Sequence, residues 1–442
     1  MAGPRAFTGA SGLGDDGLAL ALAPALTPDG VEASPRFFHG FATHPQVLAR
    51  GLGVLAEITA TRYFHYTPTT QRDPVLTAQG DRLRAECFSA CNSVYARLDL
   101  LAAGLDGGEI AHGTTNVDLG TATRALLAQV GRADLLHLAV GLDEVRLATI
   151  DATAVERPVA MPARWIRALG NVAELHHGLV PAFSVDAAGA RAFLATVPAA
   201  TATTRGSGWL VPDRRGVRLA ARPGPAAGAA VAVAGLHRLS ALRRMLTHVE
   251  GMTFHHGGAG DAEAVVVEVA LPAARLVVGL TAEAWRGHSG EGSLLTGLAG
   301  TSTGADARLV SALLSFEPVI DVPRLARATA LSEERVRGAL AVLASSGRVG
   351  WDLHDAAWFH RELPDDPDRV ERDHPRLAGA RALVAAGAVV RDDGGWTVSS
   401  GGTDHRVTGD PPARCTCRWY LTHGADRGPC KHVLAVRITE DR

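Results

Sequence analysis

Apolar positions along this chain recur in two rhythms, and each rhythm predicts its own kind of element. From Pro45 to about Leu101 they fall three or four residues apart, in "PQVLARGLGVLAEITATRYF" and "LTAQGDRLRAECFSACNSVYARLDLL". That spacing predicts helices, and with the turn-rich "AAGLDGGEIAHGTTNVD" it defines a mostly helical region over 36–128. From 129 to 305 the rhythm changes. "LLHLAVGLDEVRLATI", "GWLVPDRRGVRLAARP" and "AEAVVVEVALPAARLVVGL" each place two strand-like runs around a short polar turn. A helical stretch follows each: "MPARWIRALGNVAELHHGL", "GLHRLSALRRMLTHVEGM" and "TAEAWRGHSGEGSLLTGLAG". The expectation is an α+β region of hairpin–helix units, with "RPGPAAGAA" at 222–230 as a loop between units.

Residues 306–363 change character again. "DARLVSALLSF" is a helix ended before Pro318, and "DVPRLARATAL" starts on Asp321 as cap with Pro323 in its first turn. "SEERVRGALAVLASSG" is capped by Ser332 and stopped at Gly347. "RVGWDL" and "AAWFHREL" then read as two strand pieces. Three helices and a hairpin in this order resemble a winged helix-turn-helix. "PDDPDRVERDHPRLAG" is a charged linker into one more helix, "PRLAGARALVAAG", giving a linker-and-helix unit over 364–395. Residues 396–442 form a last small unit with two short strands, "WTVSS" and "DHRVTG", and a helix from "VLAVRI". Residues 1–35, rich in Gly, Ala and Pro, are expected to be a disordered tail. The fold class read from the pattern is therefore α+β and multi-domain. It comprises a helical N-terminal part, a mixed hairpin–helix centre, a winged-helix-like domain and a small ββα-like C-terminal unit.

Composition supports a folded chain. Of 442 residues, 47% are hydrophobic and 20% charged, and the net charge of −2 gives no global attraction to nucleic acid. No apolar run reaches the ~18 residues of a membrane helix, and the first residues show no signal-peptide pattern, so a cytoplasmic protein is expected. The chain has 44 basic residues, and Lys431 is its sole lysine, which excludes a phosphate-binding-loop lysine elsewhere. No G-x-S-x-G occurs; "GHSGEG" at 287–292 only resembles it. The paired carboxylates Glu333 and Glu334 are explained by a helix dipole. No catalytic residue is nominated, and an enzyme site within 40–300 remains the weakest of the functional alternatives.

The chemistry concentrates at the end of the chain. Of five cysteines, Cys415, Cys417 and Cys430 lie within 16 residues, which points to a reducing compartment and a metal site. Cys415 and Cys417 are one residue apart, twelve residues follow, and Cys430 and His432 are again one residue apart. Three thiolates and one imidazole are the four-coordinate donor set of a closed, structural Zn²⁺ site. A unit of ~45 residues has too small a core to fold unaided, so one structural Zn²⁺ has a physical task there. His405 and His423 lie nearby but outside the pattern. Cys87 and Cys91, four apart on an expected helix, read as core filling. The "HH" pairs at 176–177 and 255–256 lack acidic partners and read as ordinary histidines.

The pattern C-x-C-x₁₂-C-x-H, with "GPCKHVLAV" around its second half, resembles the SWIM zinc finger over residues 396–440. The layout as a whole resembles bacterial SWIM zinc finger proteins of high-GC actinobacteria. That resemblance implies macromolecular binding, and suggests as partners MoxR-type AAA ATPases and von Willebrand A-domain proteins. Nucleic acid and protein both remain open as what is bound. In the winged-helix-like part, Arg335, Arg337 and Arg348 are candidate contacts, although seven arginines there face eight acidic residues. Around the zinc ligands the candidates are Arg414, Arg418, Arg427 and Lys431. Between two ligands, Lys431 is expected to point away from the ion toward solvent, its charge helping to hold Cys430 deprotonated.

Overall fold

The computed structural model describes residues 12–14, 17–19, 25–27, 30–32, 36–64, 74–159, 161, 163–201, 206–214, 216–223, 229–257, 264–288, 294–299, 303–363, 372–409, 413–424 and 427–441. Most of the tail expected at 1–35 lies outside these residues. So do the middle of the loop at 222–230, much of the charged linker at 364–379, and residues 289–293 of the stretch read as helical after the third hairpin. The described pieces of the tail pair as two small hairpins, Gly12–Gly14 with Gly17–Ala19 and Ala25–Thr27 with Gly30–Glu32. The chain is mixed α+β, with helices and several antiparallel sheets.

An eight-stranded antiparallel sheet organises the first two-thirds of the chain. Its order is His112–Asn116, Val75–Gln79, Arg82–Phe88, Val94–Leu101, Ala274–Leu280, Val265–Leu271, Gly251–His256 and Val180–Asp186. Three of these strands fall where helix was expected. "RLRAECF" and "VYARLDLL" alternate strictly: Arg82, Arg84 and Glu86 share one face and Leu83, Ala85 and Cys87 the other. The same apolar residues also match a helical spacing, so the sequence is ambiguous. Pairing decides it: Gly80, at φ +84°, turns the chain between Gln79 and Arg82, and each strand finds neighbours on both sides. Cys87 is accordingly a buried strand residue and Cys91 a turn residue, not two positions on a helix.

On the apolar face lies the helix Pro45–Ala60, where Gly51 brings its backbone against Leu98. The 3₁₀ segment Leu236–Met245 packs beside it. A five-stranded sheet runs Thr153–Glu156, Val145–Ala148, His137–Gly141, Arg36–Ala42 and Leu105–Ile110, and one continuous core joins the two sheets.

The charged face of the long sheet is buried as well. It is covered by the hairpin Val349–Asp352 and Ala357–His360, which follows helices Thr303–Ser311, Val322–Thr329 and Glu333–Ser345. Asp352, fully buried, takes Arg84 Nη2 at 2.7 Å and Arg97 Nη2 at 3.0 Å, and Arg97 also meets Asp99 at 3.0 Å. Arg82 meets Asp355 at 2.6 Å. The Arg84 guanidinium lies 3.9 Å from the Phe359 ring centroid, and Gln79 Nε2 donates to the His360 carbonyl at 2.6 Å. Burial alone would raise the Asp352 pKa, but Arg97 and Arg84 outweigh it and hold the carboxyl far below the usual carboxylate range.

The three helices form a second core that also takes in Leu377 and Ala380 of helix Pro375–Ala385, and Leu434, Ala435 and Ile438 of helix Lys431–Glu440. Helix Ala163–His177 fixes helix Glu333–Ser345 to the sheet domain. A Cβ on Gly170 would come within 2.5 Å of the Ala344 carbonyl, so only glycine permits this approach.

Removing one member of a buried ion-pair network costs ~3–5 kcal/mol, because the remaining charges stay desolvated. Asp352→Ala is therefore expected to lower unfolding free energy by about that amount, read by urea denaturation with tryptophan fluorescence. Because the Asp352 pKa is depressed on folding, its contribution is fully present above the ordinary carboxylate pKa of ~3.9 and is lost as pH falls below it. The variant should accordingly lose less stability than wild type between pH 5 and pH 2.

Candidate metal centre

The last sheet runs Val389–Asp392, Gly395–Ser400, Thr403–Thr408 and the short Arg414–Cys415. Its first strand comes from what reads in sequence as the linker-and-helix unit. Cys415 lies opposite Val407, so its side chain shares a small core with Val398, Val433 and Val436. Cys417 caps helix Arg418–His423, and Cys430 caps helix Lys431–Glu440. Gly428, at φ +73°, turns the chain ahead of Pro429 and sets Cys430 at the helix start.

These elements bring Cys415, Cys417, Cys430 and His432 together, each buried, with ligand atoms within 4.8 Å of one another. Cys415 Sγ and His432 Nδ1 are 3.7 Å apart. Bond lengths of ~2.3 Å to sulfur and ~2.0 Å to nitrogen give a tetrahedron with edges of about 3.5–3.8 Å, so the pocket has the right size for Zn²⁺. Each sulfur accepts one backbone N–H: Cys415 from Cys417 at 3.4 Å, Cys417 from Tyr420 at 3.4 Å, and Cys430 from Val433 at 3.5 Å. Such donors stabilise thiolates, the form a metal takes. Cys430 is held down to about 4, first by a hydrogen bond from Cys415 and then against the cost of burial, while Cys415 is pushed well up by the same contact. Three sulfurs this close cannot all ionise without a cation among them. Residues and geometry therefore fit one structural Zn²⁺, closed by four protein ligands.

A family model described as SWIM zinc finger matches residues 405–438. Residues 405–438 form a SWIM zinc finger. No curated protein matches the chain. Among solved structures, the Proliferating Cellular Nuclear Antigen of Entamoeba histolytica is similar at 12% identity and a TM-score of 0.36, over 56% of this chain and 99% of that one. The PCNA2–PCNA3 complex of Sulfolobus tokodaii is similar at 9% identity and a TM-score of 0.37, over 55% and 98%.

Two features of the SWIM finger have no clear sequence signal. Arg376, in helix Pro375–Ala385, donates to the carbonyls of Arg427, Gly428 and Pro429 at 2.8, 3.4 and 3.0 Å, and stacks 4.4 Å from the Trp419 ring. It fastens the loop that delivers Cys430. His405 stacks on the His432 ring at 4.1 Å, while His423 leans on Trp419; neither joins the ligand cluster. Lys431 is half-buried, its side chain lying over Gly379 of the neighbouring helix rather than pointing straight to solvent. The main groups lowering the Cys430 pKa against its burial are Cys415, His432, the Val433 N–H and Cys417.

The other candidate contacts are scattered. Arg335 makes a bidentate pair with Asp306 at 2.9 and 2.7 Å, and Arg337 pairs with Glu333 at 2.7 Å. Arg348 is buried, bonded to Ser311 and Glu362. Arg427 lies over the Trp419 ring at 5.8 Å. Arg414 and Arg418 stay exposed.

Cys430→Ser should abolish stoichiometric zinc, measured by metal analysis of the purified protein, and should melt the finger, whereas Lys431→Arg should retain about one zinc per chain. Arg376→Ala should keep zinc but weaken it about 10- to 100-fold in chelator competition, the range typical of residues that support ligands from behind.

Proposed function

We propose that this is a non-enzymatic binding protein whose zinc-pinned finger docks a partner macromolecule through Arg414, Arg418 and Leu421. The observation that carries this reading is the outward side of the segment between the two ligand pairs. Leu421 is 75% exposed there, one turn from exposed Arg418 on the helix that Cys417 caps, with exposed Arg414 just ahead of the first ligand pair. The opposite side of the finger is committed, since Leu434, Ala435 and Ile438 are buried against the helical core. Zinc thus holds one short face rigid, and rigidity lowers the ordering cost of binding.

A protruding leucine flanked by two arginines suits an acidic protein surface with an apolar socket better than a nucleic-acid groove. The hairpin after helix Glu333–Ser345 is buried on the sheet with Arg348, and Arg335 and Arg337 are paired on the surface with Asp306 and Glu333, so that segment offers DNA few uncommitted groups. An adaptor role beside a MoxR-type AAA ATPase and a von Willebrand A-domain protein agrees with this reading. So does a cytoplasmic setting; among the described residues no helix is long and apolar enough to cross a membrane.

Affinity capture from the native host with wild type, Leu421→Asp and Cys430→Ser tests the proposal. Partner proteins should be retained by wild type and lost by both variants, with Leu421→Asp keeping its zinc. Capture that is equal for all three, or finger-dependent binding of duplex DNA in anisotropy titrations with no protein retained, would sink it.

A further inference from the structure

A cavity of about 700 Å³ lies far from the finger in sequence, between helix Pro45–Ala60, helix Thr121–Gln129 and the 3₁₀ segment Leu236–Met245. Small side chains at helical spacing, Ala49, Gly53, Ala56 and Ala60, line it along helix Pro45–Ala60, and at Gly53 no side chain stands over the helix. Arg124 lines it from helix Thr121–Gln129 and Arg243 and Arg244 from the 3₁₀ segment, with Arg50 of helix Pro45–Ala60 reaching toward that segment's end, against one acidic group, Glu57. Glu57 is occupied by Arg244 at 2.6 Å, and Arg50 is positioned by the Thr247 hydroxyl at 2.6 Å. Arg243 and Arg244 are exposed.

Gly53 is the revealing residue. Gly51, two positions earlier, is required because a Cβ there would press on Leu98 at 2.8 Å. A Cβ on Gly53 would meet nothing within 4 Å, and its φ is ordinary for a helix, so the fold does not ask for glycine. Glycine in a helix interior costs stability relative to alanine. It is useful where something must approach the backbone closely. A second cavity of about 540 Å³, sharing Gln46, is lined by Arg132, Arg191 and His248 against one acidic residue, Glu250. The field there is positive: after burial, Arg50, Arg132 and His44 push the His248 imidazole pKa down. Neither cavity has a Phe, Tyr or Trp in its wall, so stacking of unpaired bases has no platform.

We infer that this groove is a binding site for a ligand presenting several phosphate groups in a row, held by Arg50, Arg124, Arg243 and Arg244 over the open backbone at Gly53. Guanidinium forks match phosphate oxygens in pairs, and their convergence from two sides suits an elongated polyanion threading between them. The phosphates of a nucleic-acid duplex and of a free polyphosphate share this chemistry.

The test uses the full-length zinc-loaded protein with two probes, a fluorescein-labelled DNA duplex of about 20 base pairs and inorganic tripolyphosphate. The expected result is binding of one or both. For four phosphate contacts on duplex DNA, affinity should fall on the order of a hundredfold between 50 and 200 mM salt. Binding of the duplex alone assigns the site to nucleic acid, and of tripolyphosphate alone to a free polyphosphate. Gly53→Leu, which fills the groove, and the Arg50→Glu/Arg243→Glu double variant should each weaken binding at least tenfold, while Leu421→Asp, on the distant finger, leaves it within about twofold. The surface charge variant keeps the test decisive should the leucine disturb the helix. Failure of both probes to bind wild type, or binding that survives the charge reversal, overturns the inference. Because Leu421→Asp reads the finger and Gly53→Leu reads the groove, the two proposals fail separately.

Discussion

The arrangement of this protein depends on one buried carboxylate. Asp352 sits with no solvent exposure between Arg84 and Arg97, which project from neighbouring strands of the long sheet. An isolated charge in that position would cost several kcal/mol, and so would either arginine without its partner. The network is tolerable only when hairpin and sheet are in contact. It therefore acts as a registration device: apolar surfaces tolerate sliding, whereas these charges are satisfied in one alignment. Phe359 beneath Arg84 and the Gln79 bond to the His360 carbonyl narrow the alignment further.

From that joint the rest of the C-terminal half follows. The hairpin carries helix Glu333–Ser345, which Gly170 allows to lie close against helix Ala163–His177. The helical core built there receives Leu434, Ala435 and Ile438 from the last helix, so the zinc finger is fastened to the body rather than tethered. Zinc and packing divide the work. The metal holds Cys415, Cys417, Cys430 and His432 together from within, and helix Pro375–Ala385 supports the outside, with Arg376 gripping the three carbonyls ahead of Cys430.

The fastening changes what each surface can offer. A hairpin buried on a sheet is not free to reach a partner, and an arginine buried with its ion pair, as Arg348 is with Glu362, presents no face to a new contact. The free face of the finger, around Leu421, and the arginine-lined groove over Gly53 lie on different cores of the molecule. Two faces of different chemistry, one apolar with a cationic rim and one cationic over open backbone, would let a single chain join two unlike partners.

What the sequence determined by itself is local. Four ligands spaced C-x-C and C-x-H, the caps Asp321 and Ser332, and the hairpins at 137–148, 208–220 and 265–280 are legible because turns, caps and chelate spacing act within a few residues. The tertiary structure decided what distant residues settle. Residues 75–101 satisfy both a helical and an alternating pattern, and their charged positions look solvated until Asp352, some 250 residues later, is seen to bury them. The positions of Arg348, Arg427 and Lys431 depend likewise on Glu362, Trp419 and Gly379, which no spacing rule connects to them. Local chemistry is written along the chain, while burial of charge is a property of surfaces that only folding brings face to face.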